Sequence, residues 1–404
     1  MKFEYFVGKR LTKQKEKTYA RPVVKIAIAS TALSIAVMLI ALSVLEGFKT
    51  EIKNKIAGFG SHIQVVSYGS YLGRDNETIQ LSDREFKTIS SLNDVKSIAP
   101  VYTRSGAIIN DDFQALIVKG VNKNYDISFY KENLVEGKTI EFDKESKQEV
   151  LISKTVAEKL KLKTNDKIKI YFYIDNSYRA KNFYISGIYD TGLGDYDERF
   201  VICDMQVLKN IFSADEQSYT SYEIMLKNFD NLEYNAEIIY NNLDSDKGIA
   251  TIDELEPNLF SWLNLLDSNV IMIIAVMMLV SIVTLSSVML IMIFEKKTMI
   301  GVLKSFGTPN NSIIKIFLYK AGYVTLKGML YGNILALTLE IIQKYSHIIS
   351  LDQENYFLTS VPIAINPWAF LLTNLGVFVL CILCLIIPAK SITKISPTKN
   401  LKFE

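Results

Sequence analysis

Three stretches of the chain run for twenty or more residues without a charge: Ile26–Leu45, Val270–Phe294 and Trp368–Ile387. At 1.5 Å per helical residue, twenty residues reach about 30 Å, the thickness of a bilayer's hydrocarbon core. An ordinary core helix is shorter, and a helix satisfies its own backbone in lipid. A fourth apolar stretch, between Ile313 and Ile342, is interrupted by Lys315, Lys320, Lys327 and Glu340. A span over 316–342 works if Lys320 snorkels to one membrane face and Glu340 sits at the other. That leaves Lys327 at depth, against another helix end or facing a partner, a carbonyl or a water-filled cavity.

Between the first and second stretches the pattern changes period. Alternating or β-branched runs predict strands at His62–Ser67, Ala115–Val121, Lys167–Tyr173, Phe183–Ile188, Phe200–Cys203 and Tyr222–Leu226. Helical spacing predicts Asp83–Ser91, Ser153–Leu160 and Leu232–Leu243. Ser82 stands as N-cap of the first of these, with Glu85 three residues on, a capping box. Leu255, Leu259, Trp262, Leu263 and Leu266 recur at helical spacing before the second span and predict a stalk that packs on its counterpart. The fold class is therefore a membrane protein with four transmembrane α-helices and a large mixed α/β domain inserted between the first two.

Composition bounds this picture without replacing it. The 404 residues are 49% hydrophobic with net charge +2, which allows two or three domains and excludes a disordered or nucleic-acid-coating protein. The distribution of cations is more telling. Lys2, Lys9, Arg10, Lys13, Lys15, Lys17, Arg21 and Lys25 precede the first span, Lys296, Lys297 and Lys304 follow the second, and Lys390, Lys394, Lys399 and Lys402 follow the last. The loop from Gln343 to Pro367 has only Lys344, against Asp352 and Glu354. Short cationic loops stay in the cytoplasm, so both termini are expected inside and the large domain outside. The first span is followed by Glu46-Gly47-Phe48-Lys49 rather than a small-residue cleavage site, and reads as an uncleaved anchor. Cys203 is alone in the outward domain, while Cys381 and Cys384 lie within a span, where buried small side chains are the plainer reading.

Candidate chemistry is sparse. Gly137-Lys138-Thr139 resembles the end of a phosphate-binding loop, but Glu132 stands where that loop needs its first glycine. Asp190–Glu198 has the composition of a calcium loop without its ligand spacing, and a glycine turn with solvated acids accounts for it. The only histidines, His62 and His347, are far apart with no nucleophile motif to serve. The segment after the second span is more legible. Met299, Val302, Leu303 and Phe306 share one face of a short helix, Gly307 takes a left-handed stop, Thr308 caps the next helix and Pro309 occupies its first turn. Such a helix lies on lipid or docks in a partner's groove.

Glu295–Gly307 resembles the coupling segment of permeases in mechanotransmitting ABC transporters, the FtsX/MacB/Lol superfamily. The likeness covers nearly the whole chain and is strongest to the lipoprotein-releasing Lol permeases. Phe6–Arg10, Ser43-Val-Leu-Glu-Gly-Phe48 and Gly60-Ser-His62-Ile-Gln-Val are similar to the family's N-terminal part. Gly187-Ile-Tyr-Asp-Thr-Gly192 with Tyr196-Asp197 matches its outward domain, and Tyr356-Phe357, Val361-Pro362-Ile363, Ile387-Pro388-Ala389-Lys390 and Ile395-Ser-Pro397 resemble the Lol branch. Lys327 departs from the family, whose third span is often apolar at that place.

The resemblance implies a division into a cytoplasmic segment 1–25, helix 26–48, a MacB-type periplasmic core domain with stalks over 49–268, helix 269–294, coupling loop 295–315, helix 316–342, periplasmic loop 343–366, helix 367–388 and cytoplasmic tail 389–404. It implies a location in the bacterial inner membrane and no catalysis by the chain itself. Two copies of an ABC ATPase, which carry ATP and Mg, would dock on Glu295, Lys296, Met299, Gly301, Val302, Leu303, Lys304, Phe306 and Gly307. A second permease, identical or related, would complete the assembly; no cofactor, metal or nucleic acid is expected on this chain. The cargo would be a lipoprotein handed to a periplasmic carrier, with its acyl chains between the permeases among membrane lipid. Five of the eleven methionines lie in the second span. Met272, Met277 and Met278 suit such an acyl-chain cavity. Ser30, Ala32, Ser34 and Ala36 give the first span small-residue spacing for close helix approach. Efflux with a periplasmic adaptor, or an FtsX-like scaffold that activates a cell-wall hydrolase, are the competing expectations.

Overall fold

The computed structural model describes residues 20–71, 77–109, 113–142, 148–174, 176–352 and 356–394. Phe6–Arg10, the cations Lys2 to Lys17, Glu354, Ile395–Pro397, Lys399 and Lys402 lie outside the described residues. Two compact units result: Glu51–Ser261 with Leu351–Thr359 is an α/β domain, and the remaining described residues form a membrane unit. The first helix, α1 (Ala20–Gly60), runs unbroken for 41 residues.

In the α/β domain the strands are β1 (Ile63–Ser67), β2 (Val95–Ile109), β3 (Phe113–Val121), β4 (Leu134–Gly137), β5 (Glu149–Ser153), β6 (Lys167–Ile174), β7 (Ser177–Tyr189), β8 (Phe200–Asp204), β9 (Ser221–Leu226) and β10 (Lys247–Thr251). Their order is β10-β1-β9-β2-β3-β8-β5-β7-β4, and β6 pairs with both β2 and β7. The path β2-β3-β8-β5-β7-β6 therefore returns to β2 and encloses a core that includes Ile108, Val118, Ile152, Phe172, Phe183 and Val201. Closing the circuit removes strand edges that would otherwise invite pairing.

Strand β2 belongs to two systems: Val95–Val101 pairs with β9 and Tyr102–Ile109 pairs with β3. Pro100 and Gly106, both depleted in strands, hide this long strand from a pattern reading. The longer helices are α2 (Asp83–Ser90), α3 (Lys154–Leu160), α4 (Met205–Phe212) and α5 (Leu232–Asn241). Ser82 and Glu85 form the expected capping box on α2. Ser153, the last residue of β5, caps α3 through the Val156 N–H at 3.1 Å. Neither β5, β10 nor α4 is expected from the pattern; each is short, although Met205, Leu208 and Phe212 of α4 do recur at helical spacing.

The membrane unit contains the N-terminal part of α1, to Thr50, and α6 (Pro257–Glu295) from Trp262 on, together with α7 (Lys297–Ser305), α8 (Asn310–Ser346) and α9 (Pro367–Ala389). Among the described residues, four helices are long and apolar enough to cross a membrane. Helix α9 starts as its sequence dictates, with Pro367 in the first turn and the Asn366 side chain accepting the Trp368 N–H at 3.1 Å. The bundle packs by close approach. A Cβ on Gly328 would lie 2.7 Å from Thr31 Cβ, and one on Gly332 would lie 2.6 Å from the Ala32 carbonyl oxygen. Gly328 and Gly332 thus form a G-x-x-x-G face on α8 against Thr31, Ala32 and Ile35 of α1, where Ala32 is met through its carbonyl oxygen. Ser30 donates to Thr284 at 3.3 Å. Asn333 and Asn374 exchange amide hydrogen bonds of 2.8 and 2.9 Å, and each also donates to the carbonyl four residues back in its own helix.

Glu340, expected at one end of its span, is buried: it is 1% exposed, beside Ser43, and neither carboxyl oxygen has a well-formed hydrogen bond. Its position on the α8 face that also carries Gly332 and Ala336 turns it inward. The stalk stripe is also broken. Leu255 belongs to a separate short helix, Ile252–Leu255, and is exposed, while α6 begins at Pro257 and buries Leu263. Lys327 places its ammonium 4.7 Å from the centroid of the Tyr323 ring, one turn back.

Candidate functional site

The segment after α6 folds into a helix with a defined stop. Lys296 breaks α6 from α7, and α7 ends in a Schellman motif: the Thr308 N–H reaches the Leu303 carbonyl at 3.1 Å and the Gly307 N–H reaches Lys304 at 3.0 Å. Gly307 has φ +83 with open space around it, the left-handed conformation that a glycine adopts without strain. Thr308 is not the cap of the next helix. Its N–H is committed to Leu303, and Pro309, extended at φ −67 and ψ 147, holds the N-cap position before Asn310. Proline's fixed φ suits that position as well as a first turn.

The apolar face expected of α7 is divided. Ile300 and Gly301 are fully buried, and Met299 and Leu303 pack partly into the bundle core beside Ile313 and Ile392. Val302 and Phe306 point the other way and are exposed, Phe306 to 83%. Ile300, absent from the expected stripe, is the residue that sets the helix's rotation. Lys304 also turns inward: its ammonium donates to the Ile392 carbonyl at 2.8 Å, at the turn Lys390–Lys394 that follows α9. Lysine there meets carbonyls at a helix end, where a cation is favourable. Glu295 and Lys296 are half-buried at the α6–α7 junction. What remains outward is one side of a short helix, with the Phe306 ring exposed at its end.

The three methionines proposed for a cavity do not sit alike. Met272 is exposed on α6 with Ile271, Val276 and Leu279, whereas Met277 and Met278 pack partly against the bundle core. Met289 and Met292, lower on the same helix, are buried. The exposed α6 face is continuous and apolar, open to lipid or to another chain.

Two motif fragments that looked separate in the sequence meet in space. A Cβ on Gly47 would lie 2.5 Å from the Pro362 carbonyl oxygen, and Ala364 donates its N–H to the Ser43 carbonyl at 3.0 Å. Ser43–Phe48 and Val361–Ala364 are two sides of one contact, which requires glycine at position 47. Gln343 of α8 holds the same segment through the Ile349 and Val361 carbonyls at 3.1 and 3.2 Å.

In the α/β domain the two motif fragments have structural explanations, and the expected solvated acids are corrected at Asp197, which is 2% exposed. Gly137, at φ +82, ends β4 against the Ser186 carbonyl. Asp197 folds back on its own turn, accepting from the Thr191 N–H and hydroxyl and the Gly192 N–H at 2.8 to 3.1 Å. Burial outweighs those bonds and pushes the Asp197 carboxyl up to about 6. His62 is buried too, and burial, with Lys96 nearby, holds it neutral by lowering it to about 4 while its Nδ1 accepts from the Leu226 N–H at 2.9 Å.

A family model described as FtsX-like permease C-terminal matches residues 271–397, and one described as MacB-like periplasmic core domain matches residues 26–238. The lipoprotein-releasing system transmembrane protein LolC of Xylella fastidiosa (strain 9a5c) is 19% identical over 93% of both chains. The protein of the same name from Buchnera aphidicola subsp. Schizaphis graminum is 22% identical over 96% of this chain and 95% of its own. An uncharacterized ABC transporter permease of Methanocaldococcus jannaschii is 26% identical over 60% of this chain and 58% of its own. Among solved structures, the periplasmic region of MacB from Actinobacillus actinomycetemcomitans aligns with half of this chain and 95% of its own at 14% identity and TM-score 0.35.

Proposed function

We propose that this chain, which belongs to the ABC transporter permease family that joins an FtsX-like C-terminal part to a MacB-like periplasmic core domain, extracts lipoproteins from the inner membrane for transfer to a periplasmic carrier. Permeases of this family work with an ATPase. In our reading that ATPase is a separate polypeptide, present in two copies, carrying ATP and Mg, and docked on the α7 segment. A second permease, the same chain or a related one, completes the complex. Relatives named as lipoprotein-releasing proteins match along nearly the full length, which supports the release reading over efflux or hydrolase activation. The cation distribution supports cytoplasmic termini and a periplasmic α/β domain.

The observation that carries the reading is the α7 knob: a nine-residue helix closed by a Schellman motif, with Val302 and Phe306 left outside. Exposed aromatics in a rigid frame are the residues that carry binding energy at interfaces. The cargo side rests on the exposed α6 face around Met272, which faces acyl chains between the two permeases.

The test is purification of the tagged chain with its ATPase from native membranes in mild detergent, followed by reconstitution with acylated lipoprotein. The wild-type complex is expected to retain the ATPase and to release lipoprotein into the soluble phase on ATP addition. Val302→Asp with Phe306→Asp is expected to reduce ATPase retention at least tenfold. Full retention in that double variant would overturn the docking site. An ATP-hydrolysing complex that releases no lipoprotein would overturn the cargo.

A further inference from the structure

The α1 helix ends inside the α/β domain in an unusually complete set of ties. Phe59, one residue before its end, is 1% exposed. Its ring sits among five others: Phe129 at 5.3 Å, Tyr130 at 5.9 Å, Tyr189 at 6.3 Å, Tyr196 at 5.0 Å and Phe200 at 5.7 Å between centroids. Those rings come from the short helix Ser128–Glu132, the end of β7, the Asp197 turn and the start of β8, so one side chain touches four separate segments. The neighbouring glycine belongs to the same fit, since a Cβ on Gly58 would lie 2.3 Å from the Phe129 ring.

The backbone is held as firmly as the side chain. The Phe59 carbonyl, one of the last four of α1 and so without a partner inside the helix, accepts from the ammonium of Lys119 on β3. Lys119 is 1% exposed and donates also to the Tyr125 hydroxyl at 2.9 Å and to Glu223 of β9 at 2.8 Å. An ammonium has three donors, and all three are used. A positive charge at the negative end of a helix dipole adds to the tie. There is no linker: Ser61 turns the chain at φ +65, and the His62 N–H already pairs with the Ile224 carbonyl at 3.1 Å.

The second passage between the domain and its long helix is held by less, a stack of the Phe260 ring on Phe229 at 6.0 Å between centroids. After β10 the chain makes the short helix Ile252–Leu255, breaks at Glu256 with φ −124 and ψ 56, and starts α6 at Pro257. A proline following a non-helical residue is a place where the chain changes direction without losing a hydrogen bond.

We propose that Phe59 and Lys119 form the joint through which α1 drives the α/β domain, while the break at Glu256–Pro257 lets α6 change its angle to the same domain. This rests on the reading of the chain as an ATP-driven permease. In that setting the two passages have unequal tasks: α1 transmits rotation and displacement, and α6 follows.

The test uses the full complex reconstituted with its ATPase. A pair of spin labels, one on the α/β domain and one on α9, reports the ATP-dependent distance change alongside ATP hydrolysis and lipoprotein release. Two joint variants are compared, Phe59→Leu and the double variant Lys119→Met with Glu223→Gln, which removes both charges together. A third carries one glycine inserted between Glu256 and Pro257. Both joint variants are expected to hydrolyse ATP within twofold of wild type, to lose the distance change, and to release lipoprotein at least tenfold more slowly. The insertion is expected to keep all three within twofold. Should Phe59→Leu fail to fold, the charge-pair variant alone decides. Joint variants with an unaltered distance change, or an insertion as damaging as they are, would overturn the proposal. A wild-type complex whose domain moves on ATP without releasing lipoprotein would sink the cargo assignment and leave the joint standing.

Discussion

The two units of this molecule treat buried polarity in opposite ways. In the α/β domain, Glu85, Lys119, Asp197, Asp204, Lys209, Glu223 and Lys247 are all under a tenth exposed, and each has a hydrogen-bond or ion-pair partner. Among the described residues of the membrane unit the only charge so deeply buried is Glu340, and it has no well-formed bond. The membrane unit is tied instead by close backbone approach at Gly328, Gly332 and Gly47, and by the amide pair Asn333–Asn374. A chain that folds against water must satisfy each buried charge, and in return can use charges as ties. Helices that fold against lipid gain little from apolar contact alone, so small residues and a few amides decide which faces meet.

The largest test of this contrast compares two carboxylates. Glu223→Leu strands the Lys119 ammonium in the domain interior and is expected to cost about 3–5 kcal/mol, the range for breaking a buried pair from one side. Glu340→Leu removes a carboxyl that has no well-formed hydrogen bond and is expected to leave stability unchanged or raised by about 1 kcal/mol. Thermal melts of the purified protein in detergent read both. Equal losses would mean that Glu340 is a tie after all.

A second, smaller effect separates the membrane unit's glycines. Gly332→Leu is expected to cost about 1–3 kcal/mol through overpacking against Ala32 and Ile35. Gly376→Leu, where nothing lies within 4 Å, is expected to be near neutral. Detergent melting temperatures and protease protection check the pair.

The smallest effect sharpens the domain side, where two shifted groups oppose each other. His62, lowered from 6.5 to about 4, stabilises the fold above pH 6.5, and that stability is lost as pH falls toward 4. Asp197, raised from 3.8 to about 6, stabilises the fold below pH 4, and that stability is lost as pH rises toward 6. Wild type is therefore expected to change little between pH 4 and 6.5. Relative to it, His62→Gln gains about 2 kcal/mol on acidification and Asp197→Asn loses a similar amount. Hydrogen exchange of β1 and β9 across that range measures the slopes; identical slopes in all three proteins would exclude both groups.

How much of this was legible beforehand differs by region. The long uncharged runs announce spans because a bilayer demands about twenty apolar residues in a row, whatever they pack against. The stop at Gly307 is similarly local: one residue without a side chain at the end of an amphipathic turn. The rotation of α7 was not legible, since Ile300 and Met299 compete for the inner position and only the presence of Ile313 and Ile392 beneath decides between them. Nor was the inward turn of Lys304, which depends on carbonyls more than eighty residues away in sequence.

The sequence by itself determined the four apolar helices, the α/β character of the insert, the capping box on α2 and the existence of a short helix after α6, because each follows from local periodicity or from one residue's backbone preference. Only the tertiary structure decided that β6 closes the strand circuit, that Gly47 and Pro362 touch, that Glu340 is buried, and that Phe59 and Lys119 fasten the end of α1. Those outcomes depend on which distant groups arrive at the same place, and a chain's local pattern carries no record of its long-range neighbours.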